Sequence, residues 1–219
     1  MLTDNEIHII EADSISKAYP IQQVLSGVYL KMQTGDICAL FGRNGTGKTT
    51  LQRIIFGSLR ADYKFIRIDE RYEKNAYTKP ELISYLPATH FISPGMKTRQ
   101  VLNLYGIPPD GDNIILKLYN KRISSMSSGE RRYLEVYLIL KKKAHFALLD
   151  EPFKFLSPPL MIEQTEELIQ MEAKEKGIIV ADHRYRNVLN VANRILLMKD
   201  QSLYELKDEE ELRDKGYII

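Results

Sequence analysis

Cysteine, tryptophan and net charge are almost missing from this chain. Of its 219 residues one is cysteine and none is tryptophan, and 31 basic against 29 acidic side chains leave a formal charge of +2. A single cysteine excludes an internal disulfide framework. Cys38 lies in the apolar run Ile37-Cys38-Ala39-Leu40-Phe41, where a buried, inert thiol is expected. So even a charge balance argues against a strongly basic nucleic-acid binder and against an acidic tail, and no nucleic acid is expected as a partner. Long hydrophobic runs are also lacking, for none approaches the ~20 residues that a bilayer crossing needs. Met1-Leu2-Thr3-Asp4-Asn5-Glu6 is polar and acidic, unlike a secretory signal. The expectation is a cytoplasmic protein, or one held at a membrane only through a partner. No fixed-period repeat or low-complexity tract interrupts the chain. With 44% hydrophobic and 27% charged residues it suits one soluble core with a small appended subdomain.

Glycine, although ordinary in number, is concentrated where it matters. Gly42-Arg43-Asn44-Gly45-Thr46-Gly47-Lys48-Thr49-Thr50 follows the apolar run, which reads as a buried strand, and precedes Leu51 to Phe56, which reads as a helix. Strand, glycine-rich turn, Gly-Lys-Thr and helix form the context of a P-loop. Glycines let the backbone curl so that successive N–H groups point at one phosphate. The helix N-terminus adds its positive dipole end. Lys48 brings a mobile charge for the outer phosphates, and Thr49 offers a hydroxyl to Mg²⁺.

Before this loop, Ile7 to Ala12 and Val24 to Met32 read as strands. Between them stands Lys17-Ala18-Tyr19-Pro20. Tyr19 has two readings: packing into the core, the commoner fate of a tyrosine, or stacking on a purine with its flat apolar face. After the loop, Phe65 to Asp69 and Glu81 to Pro87 read as strands. Thr98 to Tyr105 predicts a helix that stops at Gly106, and Asp112 to Asn120 a shorter one. The stretch from 88 to about 122 interrupts the strand–helix alternation and is expected to form a separate helical lobe. Ser127-Ser128-Gly129-Glu130 opens the next helix, about Arg131 to Lys143. Capping chemistry explains these residues, and a second anion site is the alternative. Arg131 and Arg132 read as a solvated face.

Phe146-Ala147-Leu148-Leu149-Asp150-Glu151-Pro152 reads as a buried strand ending in two carboxylates that point to opposite sides. One can hold a Mg²⁺ water while the other faces a water attacking the terminal phosphate. Leu160 to Ala173 has helical spacing. Gly177 to Ala181 is another apolar strand and ends at Asp182-His183, where open α/β sheets gather ligands. A helix from Arg184 to Ala192, strands from Arg194 to Met198 and Ser202 to Leu206, and a short acidic helix from Glu209 close the chain.

In this order the pieces resemble the ATP-binding cassette (ABC) ATPases over nearly the whole chain. Gly42 to Thr50 is similar to the family's Walker A loop, and Phe146 to Glu151 to Walker B plus the catalytic glutamate. Met126-Ser127-Ser128-Gly129-Glu130 resembles its signature Leu-Ser-Gly-Gly-Gln, His183 its switch histidine, and Tyr19 the aromatic that stacks on adenine. The segments around Glu130, Pro152 and Asp182 resemble the ATPase subunits of lipopolysaccharide-export and branched-chain amino-acid transport systems. The resemblance implies an α/β fold: a P-loop NTPase core of mostly parallel sheet flanked by helices, an N-terminal antiparallel β subdomain and a small helical subdomain. It implies one domain over 1–219, with 1–87 and 144–219 forming the β subdomain and core, and 88–143 the helical subdomain.

It further implies ATP and Mg²⁺ as ligands. Tyr19, Gly42, Asn44, Gly45, Thr46, Gly47, Lys48, Thr49 and Thr50 of one copy would hold the nucleotide. Ser127, Ser128 and Gly129 of a second copy would cap it. Thr49 and Asp150 would hold the metal, and Glu151, His183 and Lys48 would act in hydrolysis. The partners implied are a second copy or another ABC cassette, and a separate transmembrane permease that keeps the chain at the inner face of the cell membrane. Three residues depart from the family pattern: Ala88 in place of a glutamine that touches metal and water, Ser128 in place of the signature's first glycine, and Ser157 in place of an aspartate. Thr89 and His90 are the nearby substitutes for that glutamine. Two other functions compete with the transporter subunit: a soluble, cofactor-assembly ATPase and a low-turnover nucleotide-binding regulator.

Overall fold

A computed structural model describes residues 6–109 and 111–218. It opens with a long hairpin, β1 (Ile9–Tyr19) and β2 (Gln22–Gln33), followed by the short central strand β3 (Ile37–Phe41). Helix α1 (Lys48–Phe56) leads to β4 (Tyr63–Ile68), the two-residue β5 (Arg71–Tyr72) and β6 (Ile83–Leu86). Three helices come next: α2 (Thr98–Tyr105), α3 (Asn113–Leu118) and α4 (Ser128–Lys141). The remainder alternates: β7 (Phe146–Asp150), α5 (Pro159–Glu172), β8 (Gly177–Ala181), α6 (Tyr185–Val191), β9 (Arg194–Lys199), β10 (Ser202–Leu206) and α7 (Glu209–Asp214). Among the described residues no helix is long and apolar enough to cross a membrane.

The strands make two sheets. One is antiparallel, in the order β2-β1-β4-β5; the other runs β10-β9-β3-β8-β7-β6. In the second, β9, β3, β8, β7 and β6 are mutually parallel, and β10 adds an antiparallel edge. A parallel sheet covered on both faces needs strands that are apolar on both faces, which is why β3, β7 and β8 are buried at every position. Their side chains divide by parity. Ala39, Ala147, Leu149 and Val180 face α4, α5 and α6; Cys38, Leu40, Leu148 and Ile179 face α1 and the antiparallel sheet. Cys38 is fully buried, and burial pushes its thiol up to about 12.

Two expectations change here. Strand β1 runs through Lys17 to Tyr19 and turns at Pro20 and Ile21, so Tyr19 belongs to a hairpin tip rather than to a connecting loop. It is 44% exposed, which removes the packed reading. The helices of the 88–143 stretch do not have a core of their own. Residues from α2, α3 and α4 share one hydrophobic cluster with Leu86, Ala147 and Leu149 of the sheet. The reason is that α4 is buried nearly all round, Arg132 to Leu140 included, so it serves the sheet on one side and the short helices on the other.

At the opposite end of the parallel strands from the P-loop, His8 stacks on His145 with ring centroids 3.4 Å apart, and His8 Nδ1 lies 2.8 Å from Asp69. These residues line a groove of about 1110 Å³ with Glu6 and Glu81. Burial, then the charge of His8, lowers His145 below the ordinary histidine value of 6.5, while Asp69, Glu6 and Glu81 oppose the shift. The unfolded chain therefore takes up the His145 proton first as pH falls below that value, and stability declines with it. The expected result is a urea midpoint that drops between pH 7.5 and 5.5 and drops less in His145→Gln. Equal drops in the two proteins would show that the stacked pair carries no such linkage.

Candidate functional site

The C-terminal ends of β3, β8 and β7 are neighbours, and each releases the chain into a polar segment. Register puts Asp150 beside Ala181, so the two carboxylates of one strand end meet Asp182 and His183 of the next. Together with Tyr19, Asn44, Gly45, Gly47 and Lys48 to Thr50 they line a cavity of about 460 Å³. The groove at the other end of the strands is larger, but among its described lining residues there is no glycine and no helix N-terminus to hold an anion.

The loop from 42 to 47 is shaped by backbone that only glycine takes easily: φ is +150° at Gly42, +82° at Gly45 and +104° at Gly47. At Gly42 a Cβ would stand 2.6 Å from Thr46 Oγ1 and 2.7 Å from the Met198 carbonyl oxygen, so the loop closes tightly on itself and on β9. Thr46 Oγ1 donates to the Arg43 carbonyl at 2.9 Å and braces the turn; Gly42 and Thr46 thus form its back rather than the cavity wall. Lys48 begins α1 and folds over the loop, where its Nζ donates to the carbonyls of Gly42 at 2.5 Å and Arg43 at 3.2 Å. Burial holds this amine below the usual lysine range, and the charges of Asp150 and Glu151 oppose the shift.

The two carboxylates take different partners, but not by strand alternation: β7 ends at Asp150, Glu151 follows it with φ +56°, and both line the one cavity. Asp150 turns toward α1 and accepts from Thr49 Oγ1 at 2.7 Å. Burial raises its pKa, partly offset by the Thr49 hydrogen bond and reinforced by the charge of Glu151. A hydroxyl and a carboxylate in contact are hard oxygen donors of the kind Mg²⁺ takes, and that ion keeps waters and uses substrate phosphates for its other positions. Among the described residues no cluster of three or more His, Cys, Asp or Glu offers a fuller metal cage.

Glu151 has the less common backbone, φ +56°, and its carboxylate is held at both ends. Oε2 lies 2.5 Å from Lys154 Nζ, and Oε1 lies 3.1 Å from His183 Nε2. Burial alone would raise its pKa, but the hydrogen bond and charge of Lys154, followed by the charges of His183 and Arg132, bring the net shift below the usual value. His183 is half exposed and faces the cavity mouth.

Arg132 corrects the sequence reading most sharply. It is 1% exposed, not part of a solvated face. Its guanidinium donates to the carbonyls of Pro87 at 2.8 Å, Glu151 at 3.0 Å and, by a very short contact, Asp150. It thereby ties α4 to the ends of β6 and β7. Fully buried Glu135 completes the cluster, within 3.4 Å of Arg132, and accepts from the Phe91 N–H at 3.1 Å. His90 Nδ1 lies 2.9 Å from the same carboxylate, so it is engaged there rather than at the Thr49–Asp150 pair. A buried arginine is hidden from sequence reasoning because its carbonyl partners leave no residue-type signal; the spacing to Glu135 on the same helix was the one clue.

Ser127, Ser128 and Gly129 do not line the cavity. They open α4 with a capping box: Ser127 Oγ accepts from the Glu130 N–H at 3.1 Å, and Glu130 accepts from the Ser127 N–H at 2.9 Å. Ser128 lies within the helix, so its φ is negative and a side chain is accommodated. Gly129 is indispensable in another sense, since a Cβ there would meet the Phe155 carbonyl oxygen at 2.7 Å. Both serines face solvent.

Comparison with known proteins agrees with this geometry. The profile of the ABC transporter family matches residues 25–154. The lipopolysaccharide export system ATP-binding protein LptB of Acidithiobacillus ferridurans is 26% identical, over 96% of this chain and 94% of that protein. The ABC transporter ATP-binding protein YtrB of Bacillus subtilis (strain 168) is 28% identical over 94% of this chain and 74% of its own length. Among solved structures, the ATP binding subunit of an ABC transporter superposes with a TM-score of 0.79 at 19% identity, over 95% of this chain and 94% of that one. A dimeric, post-hydrolysis ATP-binding cassette bound to ADP and Pi gives 0.76 at 17% identity, over 91% and 99%. With the matched segment running from the second strand through the paired carboxylates and beyond half its length, the chain belongs to the ABC transporter family.

Proposed function

We propose that the chain binds ATP with Mg²⁺ and hydrolyses it as the ATP-binding subunit of a membrane transporter. The observation that carries this is the convergence of Lys48, Thr49, Asp150, Glu151 and His183 on one cavity floored by a glycine loop. Tyr19, exposed at the cavity rim, presents a ring to the base. The loop N–H groups and Lys48 take the β- and γ-phosphates. Thr49 and Asp150 hold Mg²⁺, which when bound neutralises phosphate charge. Glu151 accepts a hydrogen bond from the attacking water and aims it, and His183 contacts the γ-phosphate. Positioning and charge stabilisation supply most of the catalysis.

The exposed serines of α4, with no nucleotide of their own copy to meet, support a head-to-tail pair in which Ser127 and Gly129 of one cassette close over the nucleotide of the other. A twofold axis satisfies this with two copies of one chain, and an unlike cassette satisfies it as well. The relatives are named as the ATP-binding proteins of an export system and of an ABC transporter, which supports a separate membrane-spanning partner and a place at the inner membrane face. Ser127 to Gly129 lie at the start of α4, which packs on the sheet and on the short helices before it.

Lys48→Met tests the nucleotide reading most directly. It removes two or more charge-assisted hydrogen bonds to phosphate, so affinity for a fluorescent ATP analogue should fall by roughly 100-fold. Unchanged affinity would mean that nucleotide binds elsewhere, and no binding by the wild type would remove the nucleotide reading altogether.

A further inference from the structure

The segment after Glu151 is tied down by hydrogen bonds and faces three parts of the site at once. The Lys154 N–H donates to the Glu151 carbonyl at 3.1 Å, closing a tight turn. The Phe153 N–H donates to buried Asp182 at 2.8 Å, which anchors that turn to the end of β8. Phe155, at φ +64°, lays its ring on His90 with centroids 5.7 Å apart, and its carbonyl abuts Gly129. Lys154 Nζ lies 5.4 Å from the Phe155 ring centroid, which holds the side chain back over the turn. So placed, the ammonium meets Glu151 Oε2 at 2.5 Å and leaves Oε1 toward His183 and the cavity.

We propose that Lys154 is a positioning residue for hydrolysis: by pinning Oε2 of Glu151 it fixes which carboxylate oxygen faces the attacking water. This rests on the reading of Glu151 given above. Lys154 does not line the nucleotide cavity, so it acts through Glu151 and not on the phosphates. Its side chain is 39% exposed, and ion pairs at such sites contribute little to folding. A misaimed carboxylate, in contrast, is costly because catalysis depends on near-attack geometry. The contact therefore shows in turnover and not in stability or binding.

The experiment compares steady-state ATP turnover, binding of a non-hydrolysable ATP analogue and ligand-free melting in the wild type, Lys154→Met, Lys154→Arg, Glu151→Gln and the double variant Glu151→Gln/Lys154→Met. Loss of one hydrogen bond to a charged group predicts a kcat about tenfold lower in Lys154→Met. Analogue affinity should stay within about twofold and the melting temperature within about 2 °C. Lys154→Arg keeps a donor and should recover most of the rate, and in the Glu151→Gln background Lys154→Met should cost nothing further. A kcat that is unchanged or raised in Lys154→Met overturns the inference, the latter by making the contact a brake. A rate loss that Arg does not rescue, or that persists in the Glu151→Gln background, assigns Lys154 to structure and overturns it too. A wild type without ATP turnover, or Glu151→Gln as active as the wild type, overturns the reading of Glu151 and this inference with it.

Discussion

Glu151→Gln should slow ATP turnover by a factor of about 10² to 10⁴, the range that a positioned general base contributes, while nucleotide affinity is retained. The substitution is nearly isosteric. It leaves an acceptor for Lys154 Nζ and asks nothing new of the backbone, since glutamine and glutamate tolerate the positive φ at this position equally. It removes the negative charge that draws the hydrogen from water. The phosphate contacts of Lys48 and the loop N–H groups are untouched, so ATP should bind and remain. If two cassettes share each nucleotide, the variant should also run as a dimer in light scattering with ATP and Mg²⁺ and as a monomer without them. A variant that binds ATP, does not turn it over and stays monomeric would sink the head-to-tail pairing but leave the single-site chemistry standing.

The second large effect is on stability. Arg132→Leu leaves Glu135 buried with one charged partner fewer, and leaves the carbonyls of Pro87, Asp150 and Glu151 without their shared donor. Breaking a buried pair by removing one member costs about 3–5 kcal/mol. For a chain of this size that corresponds to a melting temperature roughly 10 °C lower. Arg132→Lys should not rescue, because one ammonium cannot reach three diverging carbonyls in the plane that the guanidinium fork spans. The double variant Arg132→Leu/Glu135→Leu should recover part of the loss, since the carboxylate short of a partner is then gone; the recovery stays partial because Arg131, His90 and the Phe91 N–H lose that carboxylate. A single variant melting within 1 °C of the wild type would show that the cluster is not structurally necessary.

The phosphate-binding half of the site was readable because it is written in contiguous residues. Ile37 to Phe41, the glycine loop and α1 follow one another in the chain, and so do β7, Asp150 and Glu151. Burial on both faces makes such strands continuous apolar runs, a signal that survives without any knowledge of neighbours. What stayed hidden depends on residues far apart. Strand β1 extends to Tyr19 through several register irregularities, with Ser14 at φ +52°. Those breaks scramble the two-residue alternation by which a strand is recognised. Pro20 then looks like the end of regular structure, although at a hairpin tip it needs no ladder N–H. The helical stretch seemed separate because interrupted strand–helix alternation says nothing about which face α4 covers. Arg132 and Lys154 were missed for a shared reason: a long cationic side chain is usually solvated, and only the fold shows that three carbonyls or a neighbouring carboxylate surround it.

The chemistry of Cys38 has a practical side. A thiol with a pKa of about 12, fully enclosed in the central sheet, is not a nucleophile; at pH 7 roughly one in 10⁵ is ionised, and thiolate is the reactive form. These 219 residues therefore behave as a cysteine-free background for maleimide labelling, with the core thiol left in place. A cysteine introduced at exposed Glu210 in α7, outside the cavity lining and outside the start of α4, would be reactive against this silent core thiol. If two copies of the chain pair over ATP, spin labels or fluorophores there would report their separation through a turnover cycle.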